Sequence, residues 1–411
     1  MSQELRARVG GGYDARREPT DPPTLPPGVV VADGCSADEA VAIAIWNSPA
    51  FRVELTRLRV AEAELAGAKR PSNPTLRLLF PAGPQQLGAL VTWPLETLIM
   101  LPRRVKIARK NLAEVAQSLV QVGTDLARDA KLAHVEWRLA HERVRVRQVI
   151  AQQWSEIAAV VRARAEAGDV APAEVDAADA DAMLAADDAA RAELEVTVAA
   201  SRLAARIGYP DAVRLVPDDG AAATEPPPPA DRLTALALAS RADLRAAAIA
   251  IDAASLIVGL ERASVFTLAG VVSGNGAAYT GGVQAEIPLA SQNQAGRGRA
   301  KGRQQAARWR YQELALRIGV EVTQARAQLT AAQRSSSLYH GEIVDARQRE
   351  LATATARYRA GESDYGGVLL SAQRLEQTRL REVELDAEVR RAHAELERAT
   401  GGRLAALERL R

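Results

Sequence analysis

Apolar residues recur along this chain at two spacings, and the switches between them divide it into elements. Over 103–166 the spacing is helical. Leu112, Val115, Leu119, Val122 and Leu126 step by three and four residues, the seam of a coiled coil. The stretch has no internal proline and predicts one helix, about 95 Å long at the ordinary helical rise. Over 76–93 the period drops to two. Leu76, Leu78 and Phe80 share one strand face, and Leu87, Ala89, Val91 and Trp93 share another, around the turn Pro84-Gln85-Gln86. Two short alternating segments about a polar turn predict a β-hairpin. Upstream, Ser36-Ala37-Asp38-Glu39 carries a helix-capping signal. It predicts a helix from there to about Arg70, bent near Pro49 and stopped by Pro71 and Pro74. Downstream, Arg164-Ala165-Glu166-Ala167-Gly168 turns the chain, and 171–207 returns as a helix to Gly208-Tyr209-Pro210.

The second half repeats this plan. Arg357-Tyr358-Arg359-Ala360-Gly361 lies 193 residues after the first glycine turn, and Gly401 lies 193 after Gly208. Residues 231–245 match 38–52 at the same offset. A second hairpin is predicted over 265–273 and 278–288 about Gly274-Asn275-Gly276. Phe266, Leu268, Gly270 and Val272 line one face, and Tyr279, Gly281, Val283, Ala285 and Ile287 line another, with Gln284 and Glu286 opposite. A long helix is predicted over 297–359, with Tyr311, Leu314, Ile318, Val322, Ala325 and Leu329 as its seam, and a return helix over 364–400. The division is therefore a flexible leader (1–35), a first repeat (36–210), a linker (211–230) and a second repeat (231–411). In each half the two shorter helices together come to about the length of the long one. Stacked end to end beside it, they predict a helical rod with hairpins toward one end and glycine turns at the other.

Composition supports long packed helices over ordinary globules: 47% of residues are hydrophobic but only 4% aromatic. With 53 basic and 51 acidic residues the net charge is +2, which leaves no electrostatic footprint for nucleic acid. The single cysteine excludes an intrachain disulfide and a cysteine-based metal site. Ala32-Asp33-Gly34-Cys35 faintly resembles a lipoprotein cleavage site, but no apolar core precedes it, and an ordinary thiol is the plainer reading. No run reaches the ~18 apolar residues of a membrane helix.

Four short strands cannot close a barrel, for which about eight is the practical minimum. Open edges beside an apolar face invite association, so several chains should pool their hairpins. Apolar-out, polar-in alternation fits a membrane barrel, and a soluble sandwich would show the same alternation.

At this point the residues resemble a family. The series Ala40-Val41-Ala42-Ile43-Ala44-Ile45-Trp46-Asn47-Ser48-Pro49 is close to the opening motif of the TolC-like outer membrane efflux proteins, particularly the branch serving heavy-metal and multidrug pumps. Asn73-Pro74-Thr75-Leu76 before the first strand, Pro94-Leu95 and Pro288-Leu289 after the hairpins, and the two Arg-x-x-x-Gly turns extend the likeness over 36–401. The resemblance implies a mainly α fold of long coiled-coil hairpins in two tandem repeats, whose β-hairpins build a trimeric twelve-stranded barrel. It implies a homotrimer in outer membrane lipid with its helical tunnel in the periplasm. Such a protein is a passive export duct for metal ions or small toxic compounds, coupled through a periplasmic adaptor to an inner membrane pump. Adaptor contact carries over to Arg164, Gly168, Arg357 and Gly361. The outer face of the barrel carries over to Leu76, Leu78, Phe80, Val91, Trp93, Phe266, Leu268, Tyr279, Val283 and Ile287. The family's acidic constriction is absent from the second half, where Gly367 stands. The first half keeps Glu174, Asp176 and Asp179 as lumen candidates, or as ordinary helix N-terminal acids.

Catalytic and metal residues find no home. His134 and His141 are seven apart on one helix, about 10 Å by helical rise, too far for one ion without other ligands. Gly296-Arg297-Gly298 fits no nucleotide-binding fingerprint. No enzyme, cofactor or resident metal is expected. The basic run 297–310 would suit lipid headgroups or lumen acids, and a solvated face explains it equally. The competing reading is a soluble coiled-coil scaffold, descended from the family without a membrane barrel.

Overall fold

The structure is a computed structural model, which describes residues 2–14, 18–32, 34–80, 87–218, 220, 225–265, 267–275, 278–286 and 292–403. The element order is the same twice over. The first series is α2 (Ala37–Asn47), α3 (Pro49–Ala68), β1 (Thr75–Leu79), β2 (Gly88–Pro94), α4 (Leu95–Glu166) and α5 (Pro172–Ile207). The second is α6 (Ala230–Ser240), α7 (Ala242–Ala263), β3 (Thr267–Gly274), β4 (Tyr279–Glu286), α8 (Gln294–Leu338), α9 (Val344–Arg359) and α10 (Tyr365–Thr400). A short helix α1 (Ser2–Val9) precedes both.

Several boundaries differ from the sequence reading for identifiable reasons. The predicted bend at Pro49 is a full break: Ser48 is the C-cap of α2, and Pro49, which needs no N–H partner, opens α3. At the other end of α2, Ser36 and Glu39 form the reciprocal capping box that their spacing suggests. Helix α4 begins at Leu95, eight residues before Arg103, and runs through Pro102. The carbonyl that Pro102 cannot serve belongs to Leu98, an exposed residue. The long helix of the second half is not continuous. A five-residue π-helical turn, Tyr339–Ile343, separates α8 from α9.

The chain divides into two compact units. One comprises Arg52–Val122 and Ser240–Arg317 and holds the sheet. Its strands are antiparallel in the order β1-β2-β3-β4, so the two hairpins of a single chain join edge to edge through β2 and β3. The register pairs Leu76 with Val91 and Leu78 with Ala89, then Val91 with Val272 and Trp93 with Gly270, then Leu268 with Ala285, Gly270 with Val283 and Gly274 with Tyr279. Paired residues share a face. One face therefore carries Leu76, Leu78, Val91, Trp93, Leu268, Val283 and Tyr279. The other carries Thr75, Arg77, Thr92, Thr280, Gln284 and Glu286, with Leu79, Leu90 and Val271 among them. Phe80 lies just beyond β1 and is exposed. Phe266 and Ile287, with the turn at Pro84, lie outside the described residues.

The other unit comprises Ser2–Phe51, Gly123–Ala239 and Ile318–Arg411. Within the stretch read as a flexible leader, α1 is a packed helix. Leu5 is buried against Gly123, and the buried Arg8 donates from Nη1 to the Gly401 carbonyl at 2.8 Å. Cys35 is fully enclosed, and its N–H donates to the Val216 carbonyl at 2.8 Å. The part of the α8 seam in this unit is buried as its spacing predicts, with Ile318 and Val322 at 0% exposure.

Candidate functional site

The two glycine turns are the same structure built twice. In the first, the Gly168 N–H donates to the Ala165 carbonyl at 2.9 Å and the Asp169 N–H to the Arg164 carbonyl at 3.0 Å. In the second, Gly361 donates to Tyr358 at 3.0 Å and Glu362 to Arg357 at 2.9 Å. These are the paired bonds of a Schellman motif, which satisfies helix-end carbonyls and requires a left-handed residue. Gly168 has φ 84° and Gly361 φ 78°. A side chain at Gly168 would meet no atom within 4 Å, so glycine is required there by its backbone angle and not by crowding.

Around identical backbones the side chains diverge. Tyr358 and Tyr365 of the second repeat occupy the positions of Ala165 and Pro172 in the first. Both tyrosines are buried, at 1% and 7% exposure, in a core with Trp154, Ile157, Val161 and Val368. Their rings meet edge to face with centroids 6.2 Å apart. The Tyr358 hydroxyl donates to Glu174 at 3.2 Å and the Tyr365 hydroxyl to Asp181 at 3.0 Å. Both bonds span 184 residues, and each partner pair is seven residues apart, so the two repeats are linked by a ladder of two phenol–carboxylate rungs. Above the first rung, the Arg164 guanidinium carbon lies 4.5 Å from the centre of the Tyr358 ring, a cation–π contact. Burial, then the carboxylate it serves, raises the pKa of each phenol, so both hydroxyls remain donors.

The residues singled out from sequence fall into different environments. Arg164 is half-buried on Tyr358, whereas Arg357 is exposed, with Glu362 3.9 Å away. Glu174 is engaged by Tyr358, and Asp179 pairs with Arg162 at 3.4 Å. Asp176 is exposed and has no ion-pair partner among the described residues. Gly367 donates its N–H to Asp364, the side-chain cap of α10. Tyr358, Tyr365 and Asp181 were missed, although Tyr358 lies inside the glycine-turn motif. The seven-residue steps 358–365 and 174–181 were the available signal.

The sheet is the second candidate surface. Its apolar face is open to solvent in the single chain: Leu76 is 63% exposed, Val283 66% and Tyr279 85%. Burying such side chains is worth about 1.5–3 kcal/mol each, so the face calls for an apolar environment. Among the described residues, strands β1 and β4 are its unpaired edges. No helix among the described residues is long and apolar enough to cross a membrane. Among them, too, no cluster of three His, Cys, Asp or Glu side chains is placed to hold a metal ion. His134 has a structural partner instead: it is buried and donates through Nε2 to the Cys35 carbonyl at 2.7 Å.

A duplicated series of long helices, two glycine turns and a sheet with one exposed apolar face define the fold, and known proteins share it. Residues 233–402 match the family model for outer membrane efflux proteins. The solved structure of CusC, described as forming a transmembrane channel, is 18% identical over 95% of this chain and 99% of its own, with a TM-score of 0.78. The outer-membrane channel OprN is 21% identical over 89% of this chain and 90% of its own, with a TM-score of 0.75. The outer membrane protein VceC of Vibrio cholerae is 18% identical over 89% and 96%, also at 0.75. No curated relative matches by sequence. The second repeat is thus similar to the outer membrane efflux proteins, and the whole chain shares its fold with these solved structures.

Proposed function

We propose that the chain is the outer membrane component of a tripartite efflux or secretion system. Three copies would pool their sheets, β4 of one beside β1 of the next, into one twelve-stranded barrel. Leu76, Leu78, Phe80, Val91, Trp93, Phe266, Leu268, Tyr279, Val283 and Ile287 would face lipid. The helices would form a tunnel in the periplasm, serving as a passive duct for metal ions or small toxic compounds. An inner membrane pump would supply the energy through a periplasmic adaptor that contacts Arg164, Gly168, Arg357 and Gly361. Among the lumen candidates Glu174, Asp176 and Asp179, the exposed Asp176 is best suited to meet cargo.

One observation carries this reading: a sheet with two unpaired edges and an exposed apolar face leaves a single chain incomplete. The structural likeness to outer-membrane channels supports it. Fractionation of the native host tests it, with an epitope tag placed in the linker near Glu225 and the extract sized in mild detergent. Recovery in the outer membrane at the size of a trimer is expected. A cytosolic species that needs no detergent would overturn the reading in favour of a soluble coiled-coil scaffold.

A further inference from the structure

Both long helices leave the sheet through a concentration of positive charge that the duct reading does not use. In α4, Leu98 and Ile99 are exposed, at 40% and 63%, and Arg103, Arg104, Lys106, Arg109 and Lys110 follow within the next three turns. In α8, Arg297, Arg299, Lys301, Arg303, Arg308 and Arg310 fall in the first seventeen residues, with Trp309 64% exposed between the last two. Against these eleven cations the two segments hold one acid, Glu96, which accepts the Leu268 N–H at 3.1 Å. Among the described residues only Lys110 has an acidic partner, Asp252, at 2.7 Å. The charge is also repeated: Arg104, Lys106 and Lys110 stand 193 residues before Arg297, Arg299 and Arg303.

Unpaired arginines and lysines beside an apolar surface, with an exposed tryptophan among them, make the chemistry of a membrane–water boundary. We propose that these two helix starts form a basic collar that binds the phosphates of anionic phospholipid headgroups at the membrane face adjoining the sheet. The order along α4 fits this: apolar side chains lie nearest the sheet, and the cations begin one turn farther on. The proposal rests on the sheet being inserted in a membrane, and its test separates the two claims.

The full chain, purified in neutral detergent micelles doped with phosphatidylglycerol or phosphatidylcholine, would have its retained lipids counted by native mass spectrometry. Retention should favour phosphatidylglycerol at least about tenfold and weaken strongly between about 0.05 M and about 0.5 M salt, as Debye screening requires. A variant with Arg299→Gln, Lys301→Gln, Arg303→Gln and Arg308→Gln should lose about a hundredfold in that affinity. The same sites with every arginine changed to lysine should keep most of it, which shows that charge and not folding is read. Equal retention of both lipids would overturn the collar, as would displacement by an equal concentration of inorganic phosphate. Protease protection of the sheet in phosphatidylcholine bilayers then locates the failure. Insertion without lipid preference rejects the collar alone, and absence of insertion rejects the membrane reading as well.

Discussion

The two repeats share a backbone plan but not a division of labour. At the glycine turns the first repeat contributes Arg164, Glu174 and Asp181, and the second contributes Tyr358 and Tyr365. Each repeat lacks the ladder partners that the other supplies: Ala165 and Pro172 replace the tyrosines, and Gly367 and Arg374 stand where the acids would be. The long helices differ as well, since α4 is unbroken over 72 residues whereas its counterpart is interrupted by the π turn at Tyr339. A duplicated sequence thus became a complementary pair, because residues that face each other across repeats are free to specialise once the backbone is fixed.

The largest expected effect tests that complementarity. Tyr358→Ala should destabilise the protein by about 3–4 kcal/mol through the cavity it leaves in the core. Tyr358→Phe, which loses only the bond to Glu174, should cost about 1 kcal/mol. In the first repeat, Ala165→Gly should cost no more than about 1 kcal/mol. Urea unfolding in detergent reads all three, and similar losses for Tyr358→Ala and Ala165→Gly would break the comparison.

The turns themselves should behave alike. Gly168→Ala and Gly361→Ala each force a β-carbon into left-handed backbone, at about 1–2 kcal/mol. Matching shifts in melting temperature would show that the backbone is the invariant element. A marked difference would mean that side-chain context sets the cost.

A smaller effect concerns pH. Burial pushes the His134 imidazole below its ordinary value, outweighing the Cys35 carbonyl and Asp218, which favour the charged form, while Arg138 and Arg390 oppose it. The unfolded chain takes up this proton near pH 6.5, the folded chain only at lower pH. The contribution is therefore complete above about pH 6.5 and is lost as the pH falls from there through the folded value. The equivalent position in the second repeat is Ala327, so the acid sensitivity should belong to the first repeat alone. His134→Gln should flatten the dependence of stability on pH across that window, and an unchanged profile would reject the assignment.

The smallest effect is one of reactivity. Burial, with Glu39 and Asp218 nearby, pushes the Cys35 thiol up to about 12. A maleimide at pH 8 should leave the native protein unlabelled and react on unfolding. Rapid native labelling would show that Cys35 is not enclosed.

Much of the architecture was legible because duplication turns one chain into its own alignment. The 193-residue offset located both turns, and alternation assigned the apolar face of each hairpin before the register was known. The apolar set shows this well, since Leu76, Val91, Leu268 and Val283 lie on one face of one sheet. Less was legible where an element obeys a non-local constraint. Pro102 sits inside a helix and Pro49 breaks one, although local rules would treat the two prolines alike. The difference is that Ser48 caps the end of α2 before Pro49, whereas around Pro102 the helix simply continues.

What the sequence by itself determined is periodicity: which stretches are helix or strand, where glycine must reverse the chain, and which side chains share a face. These follow from local backbone geometry, which repeats every 3.6 or 2 residues whatever lies across the fold. Tertiary structure alone decided the pairing of β2 with β3 and the packing of α1 beneath Gly123. It also decided the engagement of Glu174 and Asp181 by tyrosines 184 residues away. Those contacts depend on which surfaces meet; the matching steps 174–181 and 358–365 allow the ladder but do not say that the two faces meet.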